Sequence, residues 1–405
     1  MLLKKTIKIL FGLILMMSVS DLYAQSSNTI LYNDIVYKVI SEEENLVEVT
    51  GFSKEATDLP DDLVIPDQIE VSGETYTVVS IGQSAFIYSK IVTAIIPSTV
   101  TEIRPMAFMS CYNLESIKIP DSVKSIGYSA LSGCNFTEIN LPASVTEIGS
   151  QCFTECQSLE NILVDSENPC YSSIDGILFN KDGSELISCG GGRKSAIIIP
   201  ESTVSIADFA FWACTGIEEI ILPESLESIG AFALSNCKNL KSITIPSNVT
   251  YIGGYAFLYC NSLSYVELPA GIDKIDEWGV FGGCYSLETM VCHAIFPPES
   301  SFAAFATDTY GEGWNGDNRL SLTDCTLYVP ALSVDYYLTS SPWNLFYEVL
   351  PLEDAGVTDI IPDNNSGIFN VYNTAGVKVM TTRDKSEIRK LPRGVYIVNG
   401  KKIAI

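Results

Sequence analysis

One motif of 22 or 23 residues is written again and again between Ile65 and Leu268, and it constrains the fold more than any other feature of the chain. It reads Ile-Pro, two polar residues, an apolar residue, two polar, Ile-Gly, two variable, Ala-Phe, two variable, Cys, two variable, Leu, two variable, Ile. The prolines that mark its phase are Pro97, Pro120, Pro142, Pro200, Pro223, Pro246 and Pro269, with steps of 23, 22, 58, 23, 23 and 23 residues. A fixed period in the twenties specifies a solenoid, in which each unit is one coil laid on the next. A single coil exposes an apolar edge that only its neighbour covers, so stability is a sum over adjacent coils.

Within each unit the apolar residues fall as Leu-x-x-Leu-x-Leu, for example Leu114, Ile117 and Ile119, which predicts one short strand per coil. Equivalent strands are expected at Ile139–Leu141, Ile162–Val164, Ile220–Leu222, Ile243–Ile245, Val266–Leu268 and Met290–Cys292. A second apolar pair follows in each coil, as Val123 with Ile126 or Val249 with Ile252. Proline fits directly after the strand, where the chain leaves the sheet and a backbone donor is not needed. The glycines after the coil isoleucine (Gly82, Gly127, Gly149, Gly230, Gly253) suit a corner that needs positive φ or close backbone approach. Arg104 and Ala207 stand at that position in two coils, so the corner does not demand glycine everywhere. The Ala-Phe pairs at 85–86, 107–108, 210–211 and 256–257 predict a stacked aromatic spine in the core.

These motifs resemble the BspA-like branch of leucine-rich repeat proteins, over roughly residues 30–352. The resemblance implies a β-rich solenoid of 22–23-residue coils with β caps. Behind a signal peptide at 1–24 it sets an N-terminal cap at 25–80, the solenoid at 81–296 and a C-terminal cap at 297–352. A hairpin insertion at 165–195 fills the 58-residue step, with its turn at Lys181-Asp182-Gly183. Leu327-Tyr328-Val329-Pro330 and Pro342-Trp343 belong to the closing cap. A linker at 353–366 leads to a small β module at 367–405, where Asn399-Gly400 between alternating strands signals a hairpin. Val371-Tyr372-Asn373 with Gly376, and Leu391-Pro392-Arg393-Gly394-Val395-Tyr396, resemble the C-terminal sorting domains of exported Bacteroidota proteins. That resemblance implies outer-membrane secretion machinery as a partner of residues 367–405, with the alternative that the segment is a plain hairpin module.

The chain starts with Lys4, Lys5 and Lys8, an apolar run from Ile9 to Val19, and Leu22-Tyr23-Ala24 before Gln25. This is the pattern of a secretory leader cut after Ala24, and the apolar run is too short to span a bilayer. The protein is therefore expected outside the cell, secreted or on the cell surface, with no transmembrane helix. The formal charge of -25 is unevenly placed: residues 367–405 carry eight Lys and Arg against Asp384 and Glu387, so the solenoid is more acidic than the whole chain. An acidic body disfavours nucleic acid and anionic membranes as partners.

Seven cysteines, Cys111, Cys134, Cys156, Cys214, Cys237, Cys260 and Cys284, hold one repeat position. Equivalent Cβ vectors in stacked coils run parallel, which predicts a buried ladder of free thiols instead of disulfides. No Cys-x-x-Cys pair supports zinc, while Cys170 and Cys189, both in the insertion, are close enough in sequence to pair. His293, the single histidine, follows Cys292, but adjacent strand residues point to opposite faces and make no catalytic dyad; an exit-loop residue is expected. Gly190-Gly191-Gly192-Arg193-Lys194-Ser195 echoes a phosphate loop without its glycine spacing and reads as a flexible return from the insertion. Asp308, Glu312 and Asp317 supply hard oxygen ligands for Ca²⁺ without EF-hand spacing, so a solvated loop is the expectation. No cofactor is implied.

Binding is expected on the variable outward positions. Trp212, Tyr251, Tyr259, Tyr265 and Glu267 are the candidates, as aromatics and a carboxylate on exposed rows able to anchor a protein or stack on a sugar. The function that follows is non-enzymatic recognition or adhesion at the cell exterior, directed at a host or cell-surface protein or glycan. Two alternatives stay open: a polysaccharide-handling enzyme using paired carboxylates, and a self-associating structural component.

Overall fold

The computed structural model describes residues 28–54, 60–194, 196–306 and 322–352, together with the strands Phe369–Asn373, Lys378–Thr382, Val395–Val398 and Lys401–Ala404. The leader at 1–24, the linker at 353–366, the Asn399-Gly400 turn and the calcium candidates Asp308, Glu312 and Asp317 lie outside the described residues. The solenoid is as expected, and each coil has three sides.

The first side carries the Leu-x-x-Leu-x-Leu strand, as in Ser242–Thr244, Tyr265–Leu268 and Thr289–Cys292. These pair in parallel one repeat apart, Ile243 facing Val266 and Val266 facing Met290. Alternation buries Val266 and Leu268 and turns the intervening residues away from the core. The second side is a parallel ladder of two-residue rungs, Ser205–Ile206, Ser228–Ile229, Tyr251–Ile252 and Lys274–Ile275.

The third side is a stack of turns, from the Ala-Phe pair to the Cys. Phe232, Leu234 and Asn236 each donate their N–H to the next coil, to the carbonyls of Gly254, Ala256 and Leu258 at 2.9, 2.8 and 2.7 Å. Two residues per turn adopt left-handed backbone, which aims their N–H groups at the next coil, for example Phe232 at φ 55° and Asn236 at φ 60°. That conformation costs a non-glycine residue about 1–2 kcal/mol, and the inter-coil hydrogen bonds offset it. The corner glycines do different work. Gly127 has no positive φ, but a Cβ there would lie 2.5 Å from the Pro105 nitrogen, so close approach of successive coils is its requirement. Arg104 occupies the same corner one coil earlier because its guanidinium reaches back 2.6 Å to the buried Glu48 of the N-terminal cap.

The aromatic spine forms: Phe86 stacks on Phe108 at 5.3 Å, and Phe257, Phe281 and Phe305 follow one another at 5.4 and 5.9 Å. Leu131 and Leu234 take the same slot in two coils. The seven repeat cysteines are buried and unbridged, as are Cys152 and Cys189, while Cys170 is free and half-buried. Six of the seven ladder thiols point at the carbonyl of the Phe or Leu slot in the coil before. Cys111 donates to Phe86 O at 3.0 Å, Cys134 to Phe108 O at 3.4 Å, and Cys156, Cys237, Cys260 and Cys284 to Leu131, Phe211, Leu234 and Phe257, each at 3.2 Å. Desolvation pushes Cys111, Cys156 and Cys284 up to about 12, so their thiolates are suppressed at neutral pH. Alkylation of native protein at pH 8 should therefore label Cys170 far ahead of the rest, and unreduced protein opened in guanidinium should yield all twelve thiols. A count of two or more missing thiols by mass would replace the ladder with disulfides.

The insertion holds one strand more than the expected hairpin. Tyr171–Ile174, Ile177–Asn180 and Glu185–Ser188 form an antiparallel meander, and the last of them joins the second side by pairing in parallel with Ser205–Ile206. The Lys181–Gly183 turn joins the second and third strands. The first turn is Asp175-Gly176, with φ of 49° and 71°, the two positive φ values that a two-residue hairpin turn requires. Asp-Gly was legible in the sequence and is the tighter of the two. The middle strand is buried on both faces: Ile177 and Phe179 pack into the core that runs to the C-terminus, and Leu178 packs into the core that runs to the N-terminus. The insertion is thus a septum between two hydrophobic cores.

Both ends of the solenoid are covered. Thr29–Tyr32, Ile35–Ser41 and Leu46–Phe52 form antiparallel strands ahead of the first coil. At the other end the helix Val334–Thr339 and the Trp343 region close the core, with Trp343 Nε1 donating to Pro298 O at 3.0 Å and its ring against Tyr337, Phe305 and Phe346. The four C-terminal strands form an antiparallel sheet of their own, with Val398 facing Lys401 across the expected hairpin.

Candidate functional site: a notch beside the insertion

The sequence candidates do not assemble into one patch. Tyr251 sits on the second side and is 39 % exposed, its hydroxyl donating to Asp276 Oδ2 at 2.6 Å. That bond, with burial and the nearby Asp276 and Asp208 charges, pushes Tyr251 up to about 12. Tyr265 and Glu267 lie on the first side. Tyr259 belongs to the turn stack and is half-buried, its ring lying where a side chain on Gly283 would go. Trp212 is in an earlier turn and is half-buried.

Glu267 is a correction. Strand alternation places it outward, yet it is only 7 % exposed. Its carboxylate accepts hydrogen bonds from Tyr265 OH at 3.2 Å, Thr244 Oγ1 at 3.4 Å and His293 Nε2 at 2.8 Å. Neighbours along and across the outward row have laid it flat, and it cannot anchor a partner. His293 lies just past the strand, in the exit loop expected of it, and its ring is paired with Glu267. Cys292 turns the other way, into the core, where Tyr337 OH donates to its sulfur at 3.2 Å, so the two neighbours diverge. Replacing His293 with Ala leaves a buried carboxylate short of one donor and should cost about 1–3 kcal/mol in urea denaturation, with Gln partly restoring it. Equal stability of the Ala variant and the wild type would make the pair ornamental.

A further row of aromatics runs along the turns. Phe209, Phe232 and Tyr255 stand three residues after the coil isoleucine in successive coils, a regularity visible in the sequence. Their rings stack at 4.9 and 4.6 Å with interplanar angles of 7 and 16°. Face-to-face stacking along the solenoid leaves edges outward, so this ladder glues coils together and offers no flat platform to a sugar.

What the structure does build is a notch, and the insertion makes it. Where an ordinary coil would send a turn around the third side, the inserted coil cuts the corner through Cys189-Gly190-Gly191-Gly192. These glycines are packed, not flexible: a Cβ at Gly190 would overlap the Leu159 carbonyl, and one at Gly192 would lie 2.6 Å from the Ser158 carbonyl carbon. One layer of the turn stack is therefore missing between Glu155 and Ala213. Gln157 bridges the gap, its Nε2 donating to Ala213 O at 3.0 Å and its Oε1 accepting from Thr215 Oγ1 at 3.3 Å.

The resulting cavity has a volume of about 420 Å³. Tyr112 and Trp212 supply aromatic surface to it, Asn135, Gln157, Asn236 and Thr215 supply neutral donors and acceptors, and Glu155 and Lys238 supply one charge of each sign. Tyr112 is 61 % exposed and its ring lies against Gly133, whose own requirement for glycine is its φ of 72°. Trp212 is braced from behind by Phe209 and Phe232, each 5.5 Å away. Ser158 Oγ donates to Asn135 Oδ1 at 2.7 Å and fixes that amide. Of the sequence candidates only Trp212 lines the notch. Its other residues flank the repeat cysteine, at positions that look variable in every coil; the failure of the period between Pro142 and Pro200 was the signal.

Among the described residues no cluster of three or more His, Cys, Asp or Glu is placed to hold a metal ion, and no helix is long and apolar enough to cross a membrane.

Parallel strands on one side, short rungs on the second, stacked turns on the third and a cap at each end define a leucine-rich-repeat solenoid. The chain belongs to the BspA-type leucine-rich repeat family, whose profile matches residues 79–185 and 192–302 in six copies. No curated protein matches it. Among solved structures it is similar to a leucine-rich repeat protein from Bacteroides ovatus, 25 % identical over 80 % of this chain and 91 % of that one with a TM-score of 0.50. It is also similar in fold to the pneumococcal vaccine antigen PcpA, 20 % identical over 80 % of this chain and 98 % of that one, again at 0.50.

Proposed function

We propose that the protein is an exported, non-catalytic recognition solenoid, held at the cell surface or released, that captures a macromolecular ligand in the notch beside its insertion. The notch carries this reading: aromatic surface and neutral amides converge there, in a cavity within the range of about 300–1,000 Å³ typical of ligand sites. The lysine-rich start with its apolar run and small-residue exit supports export. The acidic charge supports a partner that is neither nucleic acid nor an anionic bilayer. Residues 367–405 fit a role as the handle for the secretion machinery, with the basic charge concentrated in that module.

Proteolysis of intact cells followed by mass mapping of both termini tests display and tail fate together. Solenoid peptides released from the surface, starting at Gln25, are expected; protection of the whole chain until lysis would end the reading. A glycan panel separates binding from catalysis. Release of reducing ends by the wild type, lost in Glu155→Gln, would make the protein an enzyme, and concentration-dependent sedimentation without ligand retention would make it a self-associating component.

A further inference from the structure

We propose that the notch is a carbohydrate site for a short segment of a neutral glycan, with one sugar ring on Tyr112 and another against Trp212; this rests on the recognition reading above. Tyr112 is the most accessible aromatic of the notch and stands clear of the stacked ladder, so its ring is available to C–H groups of a pyranose. Trp212 has the Phe209 and Phe232 rings tilted against it at 52 and 58°, so it is held rigidly while still lining the cavity. Between them lie Asn135, Asn236, Gln157 and Thr215, which offer both donors and acceptors, the combination that sugar hydroxyls need.

A peptide strand fits worse. Strand addition needs a run of unpaired backbone, and three donors of the walls are already taken: Gly133 N donates to Thr154 O, Ala213 N to Ser235 O and Asn236 N to Leu258 O, at 2.9, 2.9 and 2.7 Å. Charge selects among glycans. Glu155 and Lys238 offset one another inside the notch, while the acidic body around it repels polyanions such as uronate or sulfated chains at low salt. The sugar chain is therefore uncharged.

The test uses the chain from Gln25 to Ile405 and calorimetric titration with neutral oligosaccharides (gluco-, manno- and xylo-series) beside polygalacturonate and heparin. Binding of at least one neutral series is expected, with affinity falling about tenfold or more in Tyr112→Ala and in Trp212→Ala, since an aromatic stacking contact and its buried area are lost. Trp212→Phe keeps part of the affinity, and Tyr285→Ala, on an exposed tyrosine outside the notch, changes nothing. Native thiol protection in each variant shows that it has folded. Absence of binding to every neutral series, or binding undiminished in both alanine variants, overturns the proposal. Preferred binding of the polyanions overturns it as well. Capture of a matrix protein that survives Tyr112→Ala would sink the carbohydrate site alone, whereas protection of the whole chain until lysis in the proteolysis experiment sinks the recognition reading itself.

Discussion

Phe179→Ala is expected to destabilise the protein by about 3–5 kcal/mol, the usual cost of removing a buried phenylalanine, and to do so in the C-terminal half of the solenoid. Leu178→Ala, one residue away, should cost about 2–5 kcal/mol and act on the N-terminal half. The reason is the septum. Phe179 and Leu178 are both fully buried, yet strand alternation points them to opposite faces, one into the core that includes Ile206, Phe211 and Leu234 and the other into the core that includes Phe153, Leu159 and Ile162. A solenoid couples each coil mainly to its neighbours, so a cavity on one face loosens that side first and unfolding ceases to be a single two-state event. Hydrogen exchange followed by mass spectrometry reads this directly: peptides from 205–290 lose protection in Phe179→Ala and peptides from 80–165 in Leu178→Ala. Uniform loss along the chain in both variants would show that the two cores unfold as one unit.

How much of this was legible beforehand follows from which interactions repeat. The strand of the first side, the rung of the second, the phenylalanine spine and the cysteine slot recur in nearly every coil, and periodicity reports whatever recurs. Glu267 was not legible, because its burial depends on Thr244 and His293 from neighbouring coils and not on the alternation within its own strand. The left-handed turn residues were missed for another reason. Phe209, Ala213, Phe232 and Tyr259 are not residues that advertise positive φ, and what holds them there is the row of inter-coil hydrogen bonds. The notch is the extreme case. It is made by the absence of one turn layer, and its lining comes from coils on both sides of a 58-residue step, so no local pattern names it.

That dependence gives Gly190 an importance its sequence context hides. A Cβ there would overlap the Leu159 carbonyl oxygen and lie 2.8 Å from its carbonyl carbon, and this obstacle is backbone, which does not yield as the end of a flexible side chain would. Gly190→Ala must push the return off the preceding coil. The Gly192 N to Leu159 O bond of 2.9 Å and the Cys189 N to Ala210 O bond of 2.7 Å strain or break, and Cys214 loses the Cys189 and Gly190 carbonyls beside its thiol. Overpacking of this kind costs about 1–3 kcal/mol, and lost hydrogen bonds add to it. The larger effect is on the notch: with the return displaced outward it fills the space between Glu155 and Ala213, and Gln157 can no longer bridge them. Neutral-glycan affinity should drop by more than either aromatic variant causes, and Cys189 and Cys214 should become open to alkylation under native conditions. Gly176→Ala provides the contrast, because it strains the Asp175-Gly176 turn at φ 71° and meets only the ends of the Asn161 and Arg193 side chains, with no backbone of the corner in its way. It should lower stability while leaving the thiols covered and the ligand bound. If instead Gly190→Ala keeps Cys189 protected and melts with the wild type, the glycine run is not what holds the missing layer open, and the notch must owe its shape to the meander alone.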